Sequence, residues 1–186
     1  MKRLFIAAEI SGEARRIGLA QINSLRSAFP AVKASWVKPE NLHITLKFLG
    51  GTEDALFHDL VCVLTRAVSE FGPLQLRLNG PRAFGKRVIA IDIDDKAGTI
   101  FDLQAKIDTA CSQFGFPLDK RRFHPHLTVA RVRDERNAKS LLDFHLSSDI
   151  TKVKFVLSRI VLFESIMLRS GVFYIPLETF PLNVKI

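Results

Sequence analysis

A four-residue pattern that occurs twice constrains the fold of this chain more than any other feature of its sequence. The segments His43-Ile44-Thr45-Leu46 and His126-Leu127-Thr128-Val129 both read His, aliphatic, Thr, aliphatic, and each opens a predicted strand. Because side chains alternate between the faces of a strand, the His and Thr of each segment share one face and the aliphatic residues anchor the other in a core. The pattern predicts two halves of similar design, each presenting an imidazole and a hydroxyl on a rigid strand.

Strand and helix patterns follow a similar order in the two halves of the chain. Alternating or short continuous apolar runs predict strands over 2–8, 42–49, 74–78, 87–93, 126–132, 151–157, 159–164 and 172–178. Helical spacing of apolar residues predicts helices over 12–28, with Ser11 as the cap, from Thr52 to about 71, over 96–114 and over 137–144. The order favours an α+β fold with largely antiparallel sheets.

The length of 186 residues suits one domain, or two small lobes that share a cleft. No uncharged apolar run approaches the ~18 residues of a membrane-spanning helix, which excludes an integral membrane protein. The apolar start is interrupted by Glu9 and is too short for a signal peptide, so we expect a first buried strand in a cytoplasmic protein. Cys62 and Cys111 fall on apolar faces of predicted helices, which predicts buried thiols and no disulfide or zinc site.

The net charge of +8 favours an anionic partner, and the basic residues are concentrated near the second repeat. Lys120-Arg121-Arg122 precede it, and Arg131, Arg133 and Arg136 follow it. The alternative for each cluster is an ordinary solvated face.

Two His–Thr units that face each other provide the groups for metal-free cleavage of a phosphodiester. An imidazole titrates near neutral pH, so one histidine can take a proton from water while the other donates a proton to a leaving oxygen. The threonine hydroxyls can hydrogen-bond the phosphate oxygens.

Metal ligation by His124 and His126 is the rival interpretation of the second repeat. It is disfavoured because no Asp or Glu stands near either repeat in sequence, apart from Glu40, and Thr is a poor ligand. We therefore expect no metal and no other cofactor. His58, in a predicted helix, and His145, in a loop-like stretch, are interpreted as solvated or structural.

The residues around both repeats resemble a known family. The segments 41–50 and 123–131 are similar to the two signature segments of the two-histidine (2H) phosphoesterases, and most similar to those of the RNA 2′,3′-cyclic phosphodiesterases, also called 2′-5′ RNA ligases. Residues 3–7 resemble the family's first strand, and residues 165–177 resemble its closing segment, so the likeness covers nearly the whole chain.

The resemblance implies one bilobal domain over residues 1–186, with two pseudo-symmetric lobes, each an antiparallel sheet backed by helices, and an active-site cleft between them. It implies hydrolysis of an RNA 2′,3′-cyclic phosphate to a 2′-phosphomonoester, with reversible 2′-5′ ligation as an accompanying reaction. By similarity, His43 is the general acid and His126 the general base, while Thr45, Thr128 and Arg131 bind the phosphate. The expected partner is RNA with a cyclic phosphate end, bound by a monomer that contacts no membrane.

The role of Arg131 conflicts with strict strand alternation. Alternation from His126 turns Arg131 away from the cleft, and alternation from His43 turns Lys47 toward it. Arg131 reaches a phosphate only if its strand ends or bulges near Ala130. The first repeat has Phe48 at the position equivalent to Arg131.

Four further residues have two interpretations each. Trp36 and Phe84 either stack a terminal base or belong to the core. Lys86 and Arg87 are either phosphate contacts or ordinary exposed cations.

Two other functions remain open at this point. The first is an RNA-binding module that performs no chemistry. The second is a phosphodiesterase that acts on a small cyclic nucleotide derivative.

Overall fold

The computed structural model describes residues 1–10, 12–133, 138–169 and 171–183. Its strands are β1 (Lys2–Glu9), β2 (Ala34–Trp36), β3 (His43–Thr52), β4 (Leu74–Phe84), β5 (Val88–Asp94), β6 (His126–Val132), β7 (Lys154–Leu157), β8 (Arg159–Leu168) and β9 (Gly171–Pro181). Its helices are α1 (Gly12–Ala28), α2 (Phe57–Val68), α3 (Thr99–Ser112) and α4 (Ala138–Leu146). The predicted cap Ser11, the start of the helix predicted at 137, and Arg136 lie outside the described residues.

The strands form two antiparallel sheets, which confirms the predicted α+β class. One sheet has the order β3-β1-β8-β9 and the other has the order β2-β6-β5-β4-β7. Each sheet contains one repeat, on β3 and on β6, next to the apolar strand β1 or β5. No helix among the described residues is long and apolar enough to cross a membrane.

The helices cover the sheets and close one main core of buried aliphatic side chains. Helix α1 lies against β6 at Gly18, where an added Cβ would come within 2.9 Å of a methyl carbon of Leu127. The missing side chain therefore allows a close helix–sheet contact beside the second repeat. Cys111 is buried as predicted, whereas Cys62 is exposed, so the prediction of a buried thiol was wrong for Cys62.

Two predicted helix starts differ from the observed ones for local reasons. The strand predicted to end at 49 continues through Gly50 and Gly51, so Thr52 remains in β3, and α2 begins only after one 3-10 turn over Asp54–Leu56. Helix α3 begins at Thr99 because the Asp95 carboxylate accepts hydrogen bonds from the backbone N–H groups of Ala97 and Ile100 and holds a turn there.

Candidate active site

Both repeat strands contain one extra residue at the same place. In the β1–β3 ladder Ile6 pairs with Lys47 and Ala7 pairs with Thr45, so Leu46 has no partner. In the β5–β6 ladder Ile89 pairs with Ala130 and Ala90 pairs with Thr128, so Val129 has no partner. A bulge of this kind reverses the alternation of side chains beyond it.

The bulges decide which residues reach the cleft. The first seven residues of β3 and the seven residues of β6 have the same sequence of buried and more exposed positions, with two consecutive buried residues at the bulge. Arg131 is consequently exposed on the face of His126 and Thr128, and Phe48 on the face of His43 and Thr45. The condition under which Arg131 reaches the cleft is met.

Lys47 points into the core, so the expectation from strict alternation was wrong. Its side chain is 1% exposed, and its Nζ donates to an Asp108 carboxylate oxygen and, at 2.9 Å, to the carbonyl of Pro117. The other Asp108 oxygen accepts the backbone N–H of Asp119 at 3.0 Å. The pair ties β3 to α3 and to the loop that leads toward the second repeat.

The first histidine is held in one tautomer by its own backbone. Nδ1 of His43 lies 2.7 Å from the carbonyl oxygen of Asn41, and a carbonyl only accepts, so Nδ1 carries the proton. In the neutral ring, Nε2 then accepts the hydroxyl of Thr45 at 3.0 Å. The nitrogen of His43 that has a lone pair in the neutral ring is therefore Nε2, beside the threonine of its own repeat.

The second histidine repeats this arrangement. Nδ1 of His126 lies 2.7 Å from the carbonyl oxygen of His124, again two residues earlier in the chain. By the same reasoning, Nε2 is the nitrogen of His126 that has a lone pair in the neutral ring. In the segment His124-Pro125-His126, the backbone carbonyl of the first histidine thus orients the ring of the second.

Four of the five predicted site residues line one cavity of about 550 Å³. His43, Thr45, Thr128 and Arg131 line it, so residues of both sheets contribute to its walls. His126 is not among the lining residues but lies near enough for its charge to lower the pKa of His43. A groove of about 570 Å³ between α2 and α3 is lined by no residue of either repeat.

The cavity is suited to an anion. Its described lining residues include four cations and no carboxylate; the cations are Arg26, Lys38, Arg131 and Arg133. With little opposing charge, a low-dielectric wall strengthens the attraction of these cations for a phosphate. Trp36 lines the cavity and also packs partly against the main core, whereas Lys86 and Arg87 are exposed and do not line the cavity.

Burial keeps both histidines neutral in the free protein at neutral pH. Desolvation is the largest cause that lowers the pKa of His43; together with the charges of Arg131 and His126, and against the raising effect of the hydrogen bond to the Asn41 carbonyl, it brings that pKa to about 4. Desolvation also lowers the pKa of His126, and Arg131 and Arg82 add to this effect. A bound anion opposes both causes, because it replaces lost hydration and attracts the imidazolium.

Aromatic rings provide this desolvation. The ring centroids of Phe5 and Tyr174 lie 5.2 and 5.4 Å from that of His43. The ring of Phe84 lies 4.6 Å from that of His126, so this half-buried phenylalanine packs on the second histidine. Burial raises the pKa of Tyr174, which keeps its hydroxyl a hydrogen-bond donor at neutral pH.

Sequence reasoning missed an acidic residue beside the second repeat. Asp92 pairs with His126 across the β5–β6 ladder, and its Oδ1 lies 2.6 Å from Nε of Arg82. Its charge raises the pKa of His126 and partly offsets burial. The signal in the sequence was a pair of acids, Asp92 and Asp94, within a largely apolar strand, but only the pairing register places Asp92 opposite the histidine.

The remaining histidines lie apart from the cavity. His58 is exposed on α2, as expected for a solvated residue. His145 is fully buried within α4, with Nε2 donating to the carbonyl of Ala90 at 2.8 Å and Nδ1 accepting from Gln21. It is structural, but the predicted loop was wrong. Among the described residues, no group of three or more His, Cys, Asp or Glu side chains could hold a metal ion.

Comparisons with known proteins identify a family. A family model described as the 2′-5′ RNA ligase superfamily matches residues 15–166. The RNA 2′,3′-cyclic phosphodiesterase of Methanothermobacter thermautotrophicus is 30% identical over 188 residues, which cover 97% of this chain and 98% of that one. The protein of the same name from Aeropyrum pernix is 29% identical over 150 residues, covering 79% of this chain and 85% of its own.

Solved structures share the fold. The protein TT0787 of Thermus thermophilus superposes with a TM-score of 0.76 at 22% identity, covering 97% of each chain. Escherichia coli LigT, complexed with 3′-AMP, superposes with a TM-score of 0.75 at 22% identity, covering 97% of this chain and 98% of LigT.

Proposed function

The chain belongs to the 2′-5′ RNA ligase superfamily, and from this premise we propose that it hydrolyses the 2′,3′-cyclic phosphate at the end of an RNA to a 2′-phosphomonoester. Relatives at 24–33% identity carry the name RNA 2′,3′-cyclic phosphodiesterase, which supports this substrate. The observation that carries the proposal is the duplicated histidine geometry: two imidazoles, each with Nδ1 on the carbonyl two residues earlier, beside one cavity lined by cations.

In the proposed reaction His126 is the general base and His43 the general acid. Nε2 of His126 takes a proton from a water molecule, the water oxygen forms a bond to phosphorus, and the bond from phosphorus to O3′ breaks. Nε2–H of His43 gives its proton to the departing O3′, so the product is a 2′-phosphomonoester with a free 3′-hydroxyl. The deeper burial of His43 and the more accessible position of His126 support these roles, because the base must meet water.

Substrate binding raises the pKa of His43, so that the imidazole takes up from solvent the proton that it needs as a general acid. The free imidazole is neutral at pH 7, since its pKa is about 4. The negative charge of the bound phosphodiester raises that pKa, so anion binding and proton uptake are coupled. Arg131 and the hydroxyls of Thr45 and Thr128 bind the phosphate oxygens and stabilise the charge of the transition state.

The same groups can join two RNAs. If the 5′-hydroxyl of a second RNA replaces water as the nucleophile, His126 takes its proton, His43 protonates the departing O3′, and a 2′-5′ linkage forms. In the reverse step O3′ attacks phosphorus and the 5′ oxygen departs, so the histidines exchange the roles of base and acid. Reversible 2′-5′ ligation is therefore part of the proposal.

The test is hydrolysis of an oligoribonucleotide that ends in a 2′,3′-cyclic phosphate, in the presence of EDTA, with the product compared with authentic 2′- and 3′-monoesters. We expect the 2′-monoester, and a loss of about 10²–10⁴-fold in kcat for His43→Ala and for His126→Ala. His58→Ala is the matched control, because this exposed histidine lies on α2 and should leave kcat unchanged. Circular dichroism checks that each variant is folded.

Three results would contradict the proposal. Activity that EDTA abolishes and a divalent ion restores would point to a metal hydrolase. RNA binding without turnover, insensitive to both histidine substitutions, would point to a non-catalytic module. Turnover of cyclic mononucleotides alone would point to a small nucleotide derivative as substrate.

A further inference from the structure

The cavity has more positive charge than the cyclic end of an RNA requires. A cyclic phosphodiester carries one negative charge, and Arg131 with the two threonines accounts for it in the proposed reaction. Arg26, Lys38 and Arg133 line the same cavity, where no described carboxylate balances them. All three are exposed: Arg26 lies on α1, Lys38 follows β2, and Arg133 follows β6. Three cations gathered at one cleft indicate that the substrate carries a further anionic group there.

The extra cations lie along one edge of the second sheet. Strand β2 is the edge strand and pairs with β6, with Ser35 opposite Arg131. Arg131 and Arg133 are both exposed on β6 and beyond it, separated by the buried Val132, so they lie about 7 Å apart along the strand direction. This spacing resembles the step between successive phosphates of an extended RNA strand.

Two contacts give this edge a defined shape. Nε of Arg133 donates to the hydroxyl of Ser35 at 2.7 Å, and its backbone N–H donates to the carbonyl of Lys33 at 2.8 Å. Arg15 on α1 donates to the carbonyl of Pro39 at 2.8 Å, which fixes the chain just after Lys38. These hydrogen bonds hold Arg133 and the backbone next to Lys38 in defined positions.

An aromatic side chain lies among these cations. Trp36 on β2 is half-buried, lines the cavity and stands opposite Ala130, next to Arg131. An indole face beside cations is the combination by which proteins bind single-stranded RNA, because every base can stack and every phosphate carries a charge.

We propose that Arg26, Trp36, Lys38 and Arg133 form an upstream subsite for the base and internucleotide phosphate that precede the cyclic end. This inference rests on the proposed function and narrows its substrate to oligoribonucleotides. A cyclic mononucleotide has no second phosphate and leaves the upstream subsite empty.

The kinetic test compares two substrates that share one reacting end: cytidine 2′,3′-cyclic phosphate and a trinucleotide ending in the same cyclic cytidine. We expect the wild-type protein to favour the trinucleotide by about tenfold or more in kcat/KM, and the triple variant R26A/K38A/R133A to bring that ratio close to one. Trp36→Leu should lower the ratio by about fivefold or more. The control triple variant K96A/K139A/K152A removes the same charge from exposed lysines outside the cleft and should leave the ratio unchanged.

A binding measurement keeps the inference separate from catalysis. Fluorescence anisotropy follows a labelled trinucleotide with a 2′-deoxy, 3′-phosphate end, which cannot form a cyclic phosphate. Its log Kd should depend on log salt less steeply in R26A/K38A/R133A, by about 0.7, because neutralisation of one internucleotide phosphate of a single strand is lost.

The outcomes are distinguishable. If wild-type protein hydrolyses both cyclic substrates equally well and the triple variant binds the trinucleotide with the wild-type salt dependence, the upstream subsite is refuted while the phosphodiesterase stands. If neither substrate is hydrolysed but the salt dependence of binding becomes less steep in R26A/K38A/R133A and not in the control triple variant, the proposed function falls and the subsite remains.

Discussion

Replacing Lys47 with Met tests the bulge on which the geometry of the cleft depends. If β3 alternated regularly, Lys47 would lie beside His43 and contact the phosphate, so its loss would reduce kcat and leave stability nearly unchanged. With the bulge at Leu46, Lys47 is buried against Asp108 and its loss affects stability. The two arrangements therefore predict opposite effects of one substitution.

The magnitude follows from burial. The Lys47 side chain is 1% exposed and that of Asp108 is 12% exposed, so K47M leaves a carboxylate in the core with one remaining partner, the N–H of Asp119. Removing one member of a buried ion pair costs about 3–5 kcal/mol, a large part of a free energy of unfolding of about 5–15 kcal/mol. In urea, with a slope of about 2–3 kcal/mol/M, the unfolding midpoint should fall by more than about 1 M.

A double-mutant cycle provides the control. Asn at position 108 is neutral and can still accept the N–H of Asp119, so K47M/D108N should recover about 2 kcal/mol relative to the sum of the single variants. Hydrolysis by K47M, measured well below its unfolding midpoint, should remain within about threefold of wild type. A K47M protein with wild-type stability and a hundredfold lower kcat would refute the bulge.

Three further predictions concern the charges at the cleft. The pKa of His43 is about 4 in the folded protein against 6.5 ordinarily, so the unfolded chain binds this proton at a higher pH than the folded protein does. The free energy of unfolding should therefore fall by about 3 kcal/mol as the pH drops from about 6.5 to 4. His43→Gln should remove this part of the loss, measured by urea titrations at each pH. Inorganic phosphate should raise the pKa of His43 in an NMR titration, since a bound anion favours the imidazolium, and an unchanged pKa at saturating phosphate would contradict the proposed proton coupling. Arg131→Met should lower kcat/KM about 10²–10³-fold and also raise the pKa of ligand-free His43, because Arg131 is one cause of its depression; normal kcat/KM would place Arg131 outside the reaction.

The sequence predicted the elements and the repeat well because both depend on local patterns. Strand β6 occupies the predicted residues, 126–132, and α1 occupies 12–28. The position of Asp92 beside His126 depends on the register between β5 and β6, which no local pattern specifies. The orientation of Arg131 depends on a bulge in the same ladder. The sequence alone showed that Arg131 reaches the cleft only if the strand ends or bulges near Ala130, but it could not show whether the strand does so.

The duplicated bulge explains how a symmetric scaffold can bind an asymmetric substrate. Each repeat presents a histidine, a threonine and, beyond the bulge, one exposed side chain at the cleft, which is Arg131 in one half and Phe48 in the other. Phe48 is 66% exposed, an unusual position for a phenylalanine unless it meets an apolar partner. In the proposed function, one wall attracts a phosphate and the other favours an uncharged surface, so a nucleotide would be bound in one orientation and the two histidines would take different roles. Phe48→Arg would make the walls alike, and we expect this variant to bind inorganic phosphate more tightly while losing kcat on the cyclic substrate.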